Sequence, residues 1–259
     1  MSNTAGRDGV VHSVDKAVNV LEVLARRGEA GVSEVAADIA VHKSTAFRLL
    51  ATLEGRGLVE QIGNRGKYRL GVGLIPLAGA VTDRLDVVRQ GREVCERLAV
   101  ELGETINVAV LQEHFAVNVD QARGPSTVAT HNWIGRLTPL HCTSSGKVLI
   151  AHLEPGRRTG LLQRSGMATL TPRTVIATER LDEELARVRE TGYAVTVEEY
   201  ELGLNAVAAP VHDRLGQVIA AVSVSGPSYR LDEPRIRQLV APLLAGTAEI
   251  SRRMGYLPR

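Results

Sequence analysis

The stretch HKSTAFRLLATLEGR, from His42 to Arg56, decides the fold of the first part of this chain. On a helix, Phe47, Leu50 and Leu53 recur at helical spacing and predict a buried face. A second face is short, polar and cationic, and it carries Ser44, Thr45, Arg48 and Thr52. Such a face fits the major groove of B-DNA, where arginine bonds guanine edges and hydroxyls reach bases or phosphates. An ordinary amphipathic surface helix has the same pattern, so the flanking sequence has to decide between them.

The residues before this stretch predict two helices. The first is expected from Val14 to about Arg27 with Ser13 as its cap, and the second is a short helix over residues 34–40, capped by Ser33. A tight turn at residues 41–43 then leads into the polar-faced helix. Two short helices joined by a turn of a few residues are typical of a helix-turn-helix.

A β-hairpin is expected after the polar-faced helix. Residues 58–62 and 68–70 have strand patterns, and the Gly-Asn-Arg-Gly turn between them favours a hairpin. A hairpin at this place is a wing, with Arg65 at its tip and Lys67 on its arm in reach of a minor groove or the backbone. A small structural hairpin that closes the domain is the alternative. The predicted DNA contacts are Ser33, Lys43, Ser44, Thr45, Arg48, Arg65 and Lys67.

Composition and charge limit the function classes. The net charge of the chain is only +2, but residues 42–71 carry six Lys or Arg residues and two Glu residues, a local charge of +4. A local basic patch is the electrostatic footprint of phosphate contact. Aromatic residues make up 3% of the chain, which argues against single-strand binding by base stacking. The partner expected from these features is double-stranded DNA.

Two cysteines without a CxxC motif exclude a disulfide scaffold and a Cys-rich zinc site. The scattered histidines have no metal-ligand spacing, so we expect neither a metal nor a cofactor. The amino terminus has no signal-peptide core, and no apolar run is long enough to cross a bilayer. We therefore expect a cytoplasmic protein without a membrane partner.

The second part of the chain mixes strands and helices. Strands are expected at residues 105–111, 115–120, 193–200, 205–212 and 217–225, and helices from about Ser144, from Thr178 to Thr191, and from Asp232 as a cap onwards. This order predicts an antiparallel-rich sheet with helices packed against it.

Several motifs together resemble the IclR family of bacterial transcriptional regulators. The amino-terminal ones are SVDKAVNVLEVL, KSTAFRLLATLEGRGLVE and GKYRLG, and the carboxyl-terminal ones are LHCTSSGKVLIA, EEYELGLNAVAAPVHD and GQVIAAVSVSGP. The resemblance extends from about Val14 to the carboxyl terminus. It implies an α+β fold in which a winged helix-turn-helix is joined by a linker helix to a GAF-like α/β effector-binding domain. The domains expected are a disordered tail at 1–12, the winged helix-turn-helix at 13–72, the linker helix at 73–85, and an effector-binding and oligomerisation domain at 86–259.

The segment HCTSSGK, residues 141–147, is the strongest candidate for chemistry. It fails as a phosphate loop, because His141 stands where that loop needs glycine and Val148 where it needs Ser or Thr. Ser144 and Lys147 have the nucleophile spacing of penicillin-recognising enzymes, but the other motifs of that class are missing. A hydrolase or transferase that uses this region, with the amino-terminal helices serving only dimerisation, is the alternative to a regulator.

A helix that starts at Ser144 would point free backbone N–H groups into a cavity, and such groups bind carboxylates. The resemblance implies an effector pocket formed by Ser144, Ser145, Gly146, Leu204, Asn205 and Ala206, with Thr196 and Glu198 on the preceding strand and Trp133 and Leu137 as an apolar lid. A plain helix cap for the serines and simple packing for Trp133 are the alternatives.

The function expected is a ligand-responsive transcriptional regulator, in the first instance a repressor, of a catabolic or metabolic operon. It would bind a palindromic operator as a homodimer or a dimer of dimers, and a carboxylate or aromatic acid would control it. A constitutive binding protein whose pocket is filled by side chains is a further alternative.

Overall fold

The computed structural model describes residues 11–63, 66–82, 86–125 and 132–257. The chain divides into two compact units, residues 1–84 and 85–259. The second unit begins one residue before the predicted effector domain. Within the described ranges no helix combines the length and apolar character that crossing a membrane requires.

The described part of the first unit contains four helices and a small sheet. Its elements are α1 (His12–Arg27), β1 (Ala30–Gly31), α2 (Val32–Asp38), α3 (Lys43–Glu54), β2 (Val59–Ile62), β3 (Lys67–Leu70) and α4 (Leu74–Thr82). The antiparallel sheet has the order β1-β3-β2. Val20, Leu24, Val35, Leu50 and Val59 belong to one core that α1, α2, α3 and β2 share. The predicted helix-turn-helix and hairpin are confirmed.

Both predicted amino-terminal helix caps are wrong. α1 begins at His12, so Ser13 lies inside the helix, as does residue 12 of the predicted tail; residues 1–10 of that tail lie outside the described residues. α2 begins directly after Gly31, whose N–H donates to the Glu34 carboxylate at 2.7 Å. Gly31 also pairs with Lys67 across the sheet, and this pairing fixes where the chain turns into α2. Ser33 therefore lies in the first turn of the helix and is exposed.

Phe47 is not buried, contrary to the prediction. Ala46 and Leu50 are fully buried and Leu53 is 7% exposed, whereas the Phe47 side chain is 54% exposed. The core face of α3 centres on Ala46, Leu50 and Leu53, which follow each other at intervals of four and three residues. Phe47 lies about 100° around the helix from this line.

The second unit is an antiparallel sheet with helices on both faces. Its helices are α5 (Asp86–Leu102), α6 (Ser144–Ala151), α7 (Pro155–Ser165), α8 (Thr178–Thr191) and α9 (Glu233–Arg253). Its strands are β4 (Thr105–Gln112), β5 (Phe115–Ala122), β6 (Leu137–Thr138), β7 (Ala194–Val197), β8 (Leu204–His212) and β9 (Val218–Pro227). The strand order is β6-β5-β4-β9-β8-β7.

Alternate residues of the strands serve two separate cores. Val207 and Val224 face a core with α5 and α9, whereas Ala208 and Ala221 face a core with α6, α7 and α8. The small alanines on the second face allow α6 to lie close to the sheet. This is the predicted α+β architecture, with the predicted antiparallel sheet.

Most predicted elements of the second unit are present. α8 has the predicted bounds, and the Asp232 side chain caps α9 by accepting the Arg235 N–H at 2.9 Å. The strand expected over residues 193–200 ends early, because Glu198 has a left-handed backbone with φ of 54°. α7 was not predicted. Its sequence contains two glycines, and in the structure its buried residues are Leu161 and Leu162.

Candidate functional site

The exposed face of α3 carries the predicted DNA-contacting side chains. Lys43, Ser44, Thr45 and Arg48 are all exposed, as is Ser33 in the first turn of α2. The Thr52 hydroxyl donates to the backbone carbonyl of Arg48 at 2.8 Å, so Thr52 serves the helix itself. The side chain of His42, the residue before α3, forms no cap, although its carbonyl accepts the Thr45 N–H at 2.9 Å; the N–H groups of Lys43 and Ser44 face the open end of the helix, where a phosphate could bind.

The predicted DNA-contacting lysine of the wing, Lys67, already has a partner within the domain. β2 and β3 pair from Val59↔Leu70 to Ile62↔Lys67, so Lys67 lies next to the turn. Its ammonium forms an ion pair with Glu29, and both side chains are about half exposed. A phosphate would therefore compete with a carboxylate for Lys67. Arg65 at the tip lies outside the described residues.

A pocket opens in the second unit between the sheet and the amino terminus of α6. The cavity itself has a volume of about 50 Å³, and the empty space in and around it, open solvent at the mouth included, is about 480 Å³. Its lining is Asn107, Asn118, Trp133, Thr138, Thr143, Ser144, Ser145, Thr196, Tyr200, Leu204, Ala206, Ser223 and Ser225. Of these described lining residues none is charged. The pocket is thus uncharged and lined mostly by polar side chains.

The structure brings six of the ten predicted effector residues to this pocket: Trp133, Ser144, Ser145, Thr196, Leu204 and Ala206. Leu137 does not close it, because its side chain lies at the surface, 58% exposed, at the start of the short edge strand β6. Of the two residues assigned to the apolar lid, Trp133 lines the pocket and Leu137 does not.

Gly146 supports the pocket without lining it. A Cβ atom at Gly146 would lie 2.5 Å from the carbonyl oxygen of Leu140, so only glycine fits against this loop. Gly146 also donates its N–H to the Thr143 hydroxyl at 3.2 Å. Thr143 is therefore the cap of α6, and not the serines that follow it.

Asn205 and Glu198 shape the rim rather than the pocket wall. The Asn205 side chain accepts the Glu198 N–H at 3.1 Å and donates to the Leu231 carbonyl at 2.8 Å. The Glu198 carboxylate accepts the Gly203 N–H at 2.7 Å and lies 3.2 Å from the Arg173 guanidinium. Both predicted pocket residues thus fix the β7–β8 connection, from which Leu204 and Ala206 reach the pocket.

The first turn of α6 presents unused donors to the pocket. The cap takes up the N–H of Gly146, whereas the N–H groups of Ser144 and Ser145 donate to no other described group. Both residues are buried, at 2% and 7% exposure, so water does not surround these groups freely. A carboxylate at this end of the helix would gain two hydrogen bonds and a favourable dipole.

Polar side chains of the sheet complete the pocket, and sequence reasoning missed them. Asn107 is 3% exposed and donates to the Ser225 hydroxyl at 3.0 Å, but its Oδ1 atom is buried without a hydrogen-bond partner. Ser223 lies opposite Asn107 in the sheet. Buried polar groups are nearly always paired, so an unpaired one indicates a missing partner. The available signal was a polar residue at alternate positions of otherwise apolar strands, as in the VSVSG of β9.

The aromatic side of the pocket is formed by Trp133 and Tyr200. Their rings meet edge to face with centroids 6.0 Å apart, and the Arg136 guanidinium lies 5.3 Å from the Trp133 ring. Burial raises the pKa of Tyr200, so its hydroxyl is a neutral donor and acceptor. An aromatic wall beside neutral polar groups suits a ring or another flat apolar portion of a ligand.

The contacts around Lys147 argue against the enzymatic alternative. Lys147 is 1% exposed, and its Nζ lies 2.6 Å from both Glu184 and Glu199. An ammonium held by two carboxylates is a poor base for Ser144. Burial raises the pKa of the Cys142 thiol to about 12, so this cysteine is not a thiolate nucleophile. Across the described ranges no group of three or more His, Cys, Asp or Glu side chains forms a metal site.

Two family models match the two units of the chain. Residues 13–63 match the IclR helix-turn-helix domain, and residues 79–252 match the model described as bacterial transcriptional regulator IclR C-terminal. The second match alone covers more than half of the chain.

Individual proteins agree with these matches. The chain is 35% identical to the HTH-type transcriptional regulator KdgR of Escherichia coli, over 95% of this chain and 94% of that protein. It is 30% identical to the transcriptional repressor IclR of the same organism, over 97% and 93%. A solved IclR homologue from Microbacterium hydrocarbonoxydans, in complex with 4-hydroxybenzoate, superposes with a TM-score of 0.79 at 27% identity, covering 93% of this chain and 98% of that one. The chain therefore belongs to the IclR family of bacterial transcriptional regulators, and it is a ligand-responsive DNA-binding regulator rather than an enzyme.

Proposed function

We propose that the protein represses a metabolic operon until a small carboxylate that also carries a hydroxyl group binds the pocket below α6. One observation carries this proposal: a single uncharged pocket contains both the unused N–H groups of Ser144 and Ser145 and the Asn107 Oδ1 atom, which has no hydrogen-bond partner. The N–H groups fit a carboxylate, and the amide oxygen fits a hydroxyl donor. The repressor name of one relative and the bound 4-hydroxybenzoate of another support the same proposal.

A thermal-shift comparison of 4-hydroxybenzoate with benzoate tests the effector class. Both acids share the carboxylate and the ring, and only the first has the hydroxyl. We expect both to raise the melting temperature and the hydroxy acid to do so at lower concentration, because a ligand that binds only the folded state stabilises it. Asn107→Ala should remove the difference between the two acids. Asn19→Ala, in α1 of the other unit, is the control and should keep it.

The constitutive alternative gives a different result in the same assay. If no carboxylic acid of a panel, with or without a hydroxyl group, changes the melting temperature of the wild type, the pocket is not a carboxylate site. If both acids bind but Asn107→Ala leaves their ratio unchanged, the carboxylate assignment holds and the hydroxyl assignment is wrong.

We further propose that α3 enters the major groove and that Arg48 bonds a base edge there. Arg48→Ala should then cost about 1–3 kcal/mol on the specific operator and relax sequence preference at one position of each half-site. Arg56→Ala is the matched control: it removes the same charge from an exposed residue beyond the end of α3. Operator DNA selected from a random library by the wild-type protein serves as the probe in a gel shift. Equal losses for the two variants on operator and random DNA would contradict base contact by Arg48.

The working form that we propose is a homodimer or a dimer of dimers. Helix-turn-helix proteins of this kind bind two half-sites one helical turn, about 34 Å, or a multiple of it apart. A regulator of bacterial operons acts where the chromosome is, so we place it in the cytoplasm. Sedimentation with and without a two-fold operator measures the assembly, and a monomer on a single half-site would contradict it.

A further inference from the structure

Phe47 is an aromatic side chain of α3 that lies outside the core of the domain and is about half exposed. The chain contains two phenylalanines, and one of them is left 54% exposed on α3. Burial of such a side chain stabilises a fold, and leaving it in water forgoes that gain. The first unit has an apolar core from Val20 to Tyr68, yet Phe47 does not join it. Its exposure therefore calls for a role outside the core.

The neighbours of Phe47 on the helix surface are those of a DNA-reading face. Residues three and four positions away are helical neighbours, which here are Lys43, Ser44, Leu50 and Ala51. Leu50 is buried, and the other three are exposed. Ser44 and Ala51 are small, so the ring stands above them. Helical side chains lean towards the amino terminus, and this moves the ring towards Lys43 and Ser44, at the end of the helix that contacts bases.

A phenylalanine ring has few partners in a DNA groove. It neither donates nor accepts a conventional hydrogen bond, and it carries no charge for a phosphate. The major groove offers one apolar group that differs between bases, the C5-methyl group of thymine, and phenylalanine is among the side chains that contact it.

We propose that Phe47 packs against the methyl group of a thymine in each operator half-site and thereby selects T at that position. The proposal rests on the entry of α3 into the major groove, which Arg48→Ala tests separately. Phe47 adds an apolar contact to the hydrogen bonds of that face, so it distinguishes T from C even where both pyrimidines fit.

Deoxyuridine scanning of the operator tests this proposal without changing the protein. Operator selected from a random library is resynthesised with one thymine at a time replaced by deoxyuridine, which lacks only the methyl group. We expect one thymine position in each half-site where the replacement weakens wild-type binding about fourfold, the factor that corresponds to about 0.8 kcal/mol for one buried methyl group. Phe47→Ala should bind thymine and deoxyuridine equally at that position, and Phe47→Leu, which keeps an apolar side chain, should retain part of the preference.

Tyr229→Ala is the control, because Tyr229 is an aromatic residue of the other unit with 73% exposure. It should keep the full thymine preference. The proposal is overturned if no thymine is sensitive in the wild type, or if Phe47→Ala keeps the same fourfold penalty. If Arg48→Ala weakens operator binding while the deoxyuridine scan stays flat, α3 lies in the groove and only the role of Phe47 is wrong. If neither effect is found, the placement of α3 fails as well.

Discussion

Replacing Lys147 by methionine should destabilise the second unit through the loss of a charge, with little change in volume. The Lys147 ammonium lies 2.6 Å from Glu184 and 2.6 and 2.7 Å from the two oxygens of Glu199. The Lys147 side chain is 1% exposed, that of Glu199 8% and that of Glu184 20%. Methionine is unbranched and adaptable and fills most of the same space. The substitution therefore tests charge: Glu199 loses this counter-ion, whereas Glu184 keeps the Arg180 guanidinium at 3.7 Å.

The expected cost follows from this geometry. Removal of one partner from a buried ion pair costs about 3–5 kcal/mol, because the remaining charge is uncompensated. Glu184 is partly exposed and can be hydrated, so we expect the lower end, about 3 kcal/mol. For a unit of this size each kcal/mol lowers the melting temperature by about 2–4 °C, which gives a fall of about 6–12 °C.

Thermal and urea unfolding at neutral pH measure this loss. Lys43→Met, on the exposed face of α3, is the matched control and should unfold like the wild type. Adding Glu199→Gln to Lys147→Met should recover a large part of the stability, since it removes the buried carboxylate charge that has lost its partner. If Lys147→Met unfolds within 1 °C of the wild type, or if the second substitution lowers stability further, the charge argument is wrong.

The pH dependence of the variant gives a second test. Burial raises the pKa of Glu199 above its ordinary value, and Lys147 opposes that rise. Without Lys147 the folded state holds a proton on Glu199 at a pH where the unfolded chain has lost it. Because the folded variant binds more protons than its unfolded chain, lowering the pH stabilises it. The difference in free energy of unfolding between the wild type and Lys147→Met should therefore shrink as the pH falls towards the ordinary glutamate pKa. A deficit that grows under the same change would contradict this assignment.

Two further outcomes are expected from the same structure. Because Glu29 competes with a phosphate for Lys67, Glu29→Ala should strengthen binding to operator and random DNA alike, and Lys67→Ala should weaken both. A gel shift in low salt measures these changes. An effect confined to the operator would contradict a phosphate role for Lys67. Burial lowers the pKa of three histidines, His141, His152 and His212, so the unfolded chain binds more protons and the melting temperature should fall from about pH 7.5 to about pH 5.5. His212→Gln should reduce that fall, and a flat profile would contradict the assignment.

The fold was predictable wherever local pattern and turn chemistry agree. The spacing of Leu50 and Leu53 located α3, and Asp232 marked the start of α9 correctly. The hydrophobic pattern of α3 predicted the wrong buried residue. Phe47 is the more hydrophobic side chain, but the smaller Ala46 lies on the buried face with Leu50 and Leu53. Helix starts failed for a different reason. Gly31 begins α2 because its strand pairs with β3, and no local signal reports that tertiary contact.

Half of the candidate pocket was predictable and half was not. Ser144 and Ser145 follow from a helix start, which is a local feature. Asn107, Ser223 and Ser225 come together only through the pairing of β4 with β9, which brings residues more than a hundred positions apart into register. Gly146 and Asn205 were assigned to the pocket because they stand within its motifs, but their backbone contacts show that they hold those motifs in shape.

The register of the sheet also explains why there is a pocket at all. Ala206 pairs with Thr196 on one side and with Ser225 on the other, so three short side chains form a row across β7, β8 and β9. The next row on the same face contains Ala208 and Ser223. α6 lies on this face, and its first turn begins where the short side chains leave space beneath it. On the opposite face Val207 pairs with Val224 in a continuous core. Substitutions in the short rows can therefore alter the ligand that fits, while the valine face keeps the sheet together.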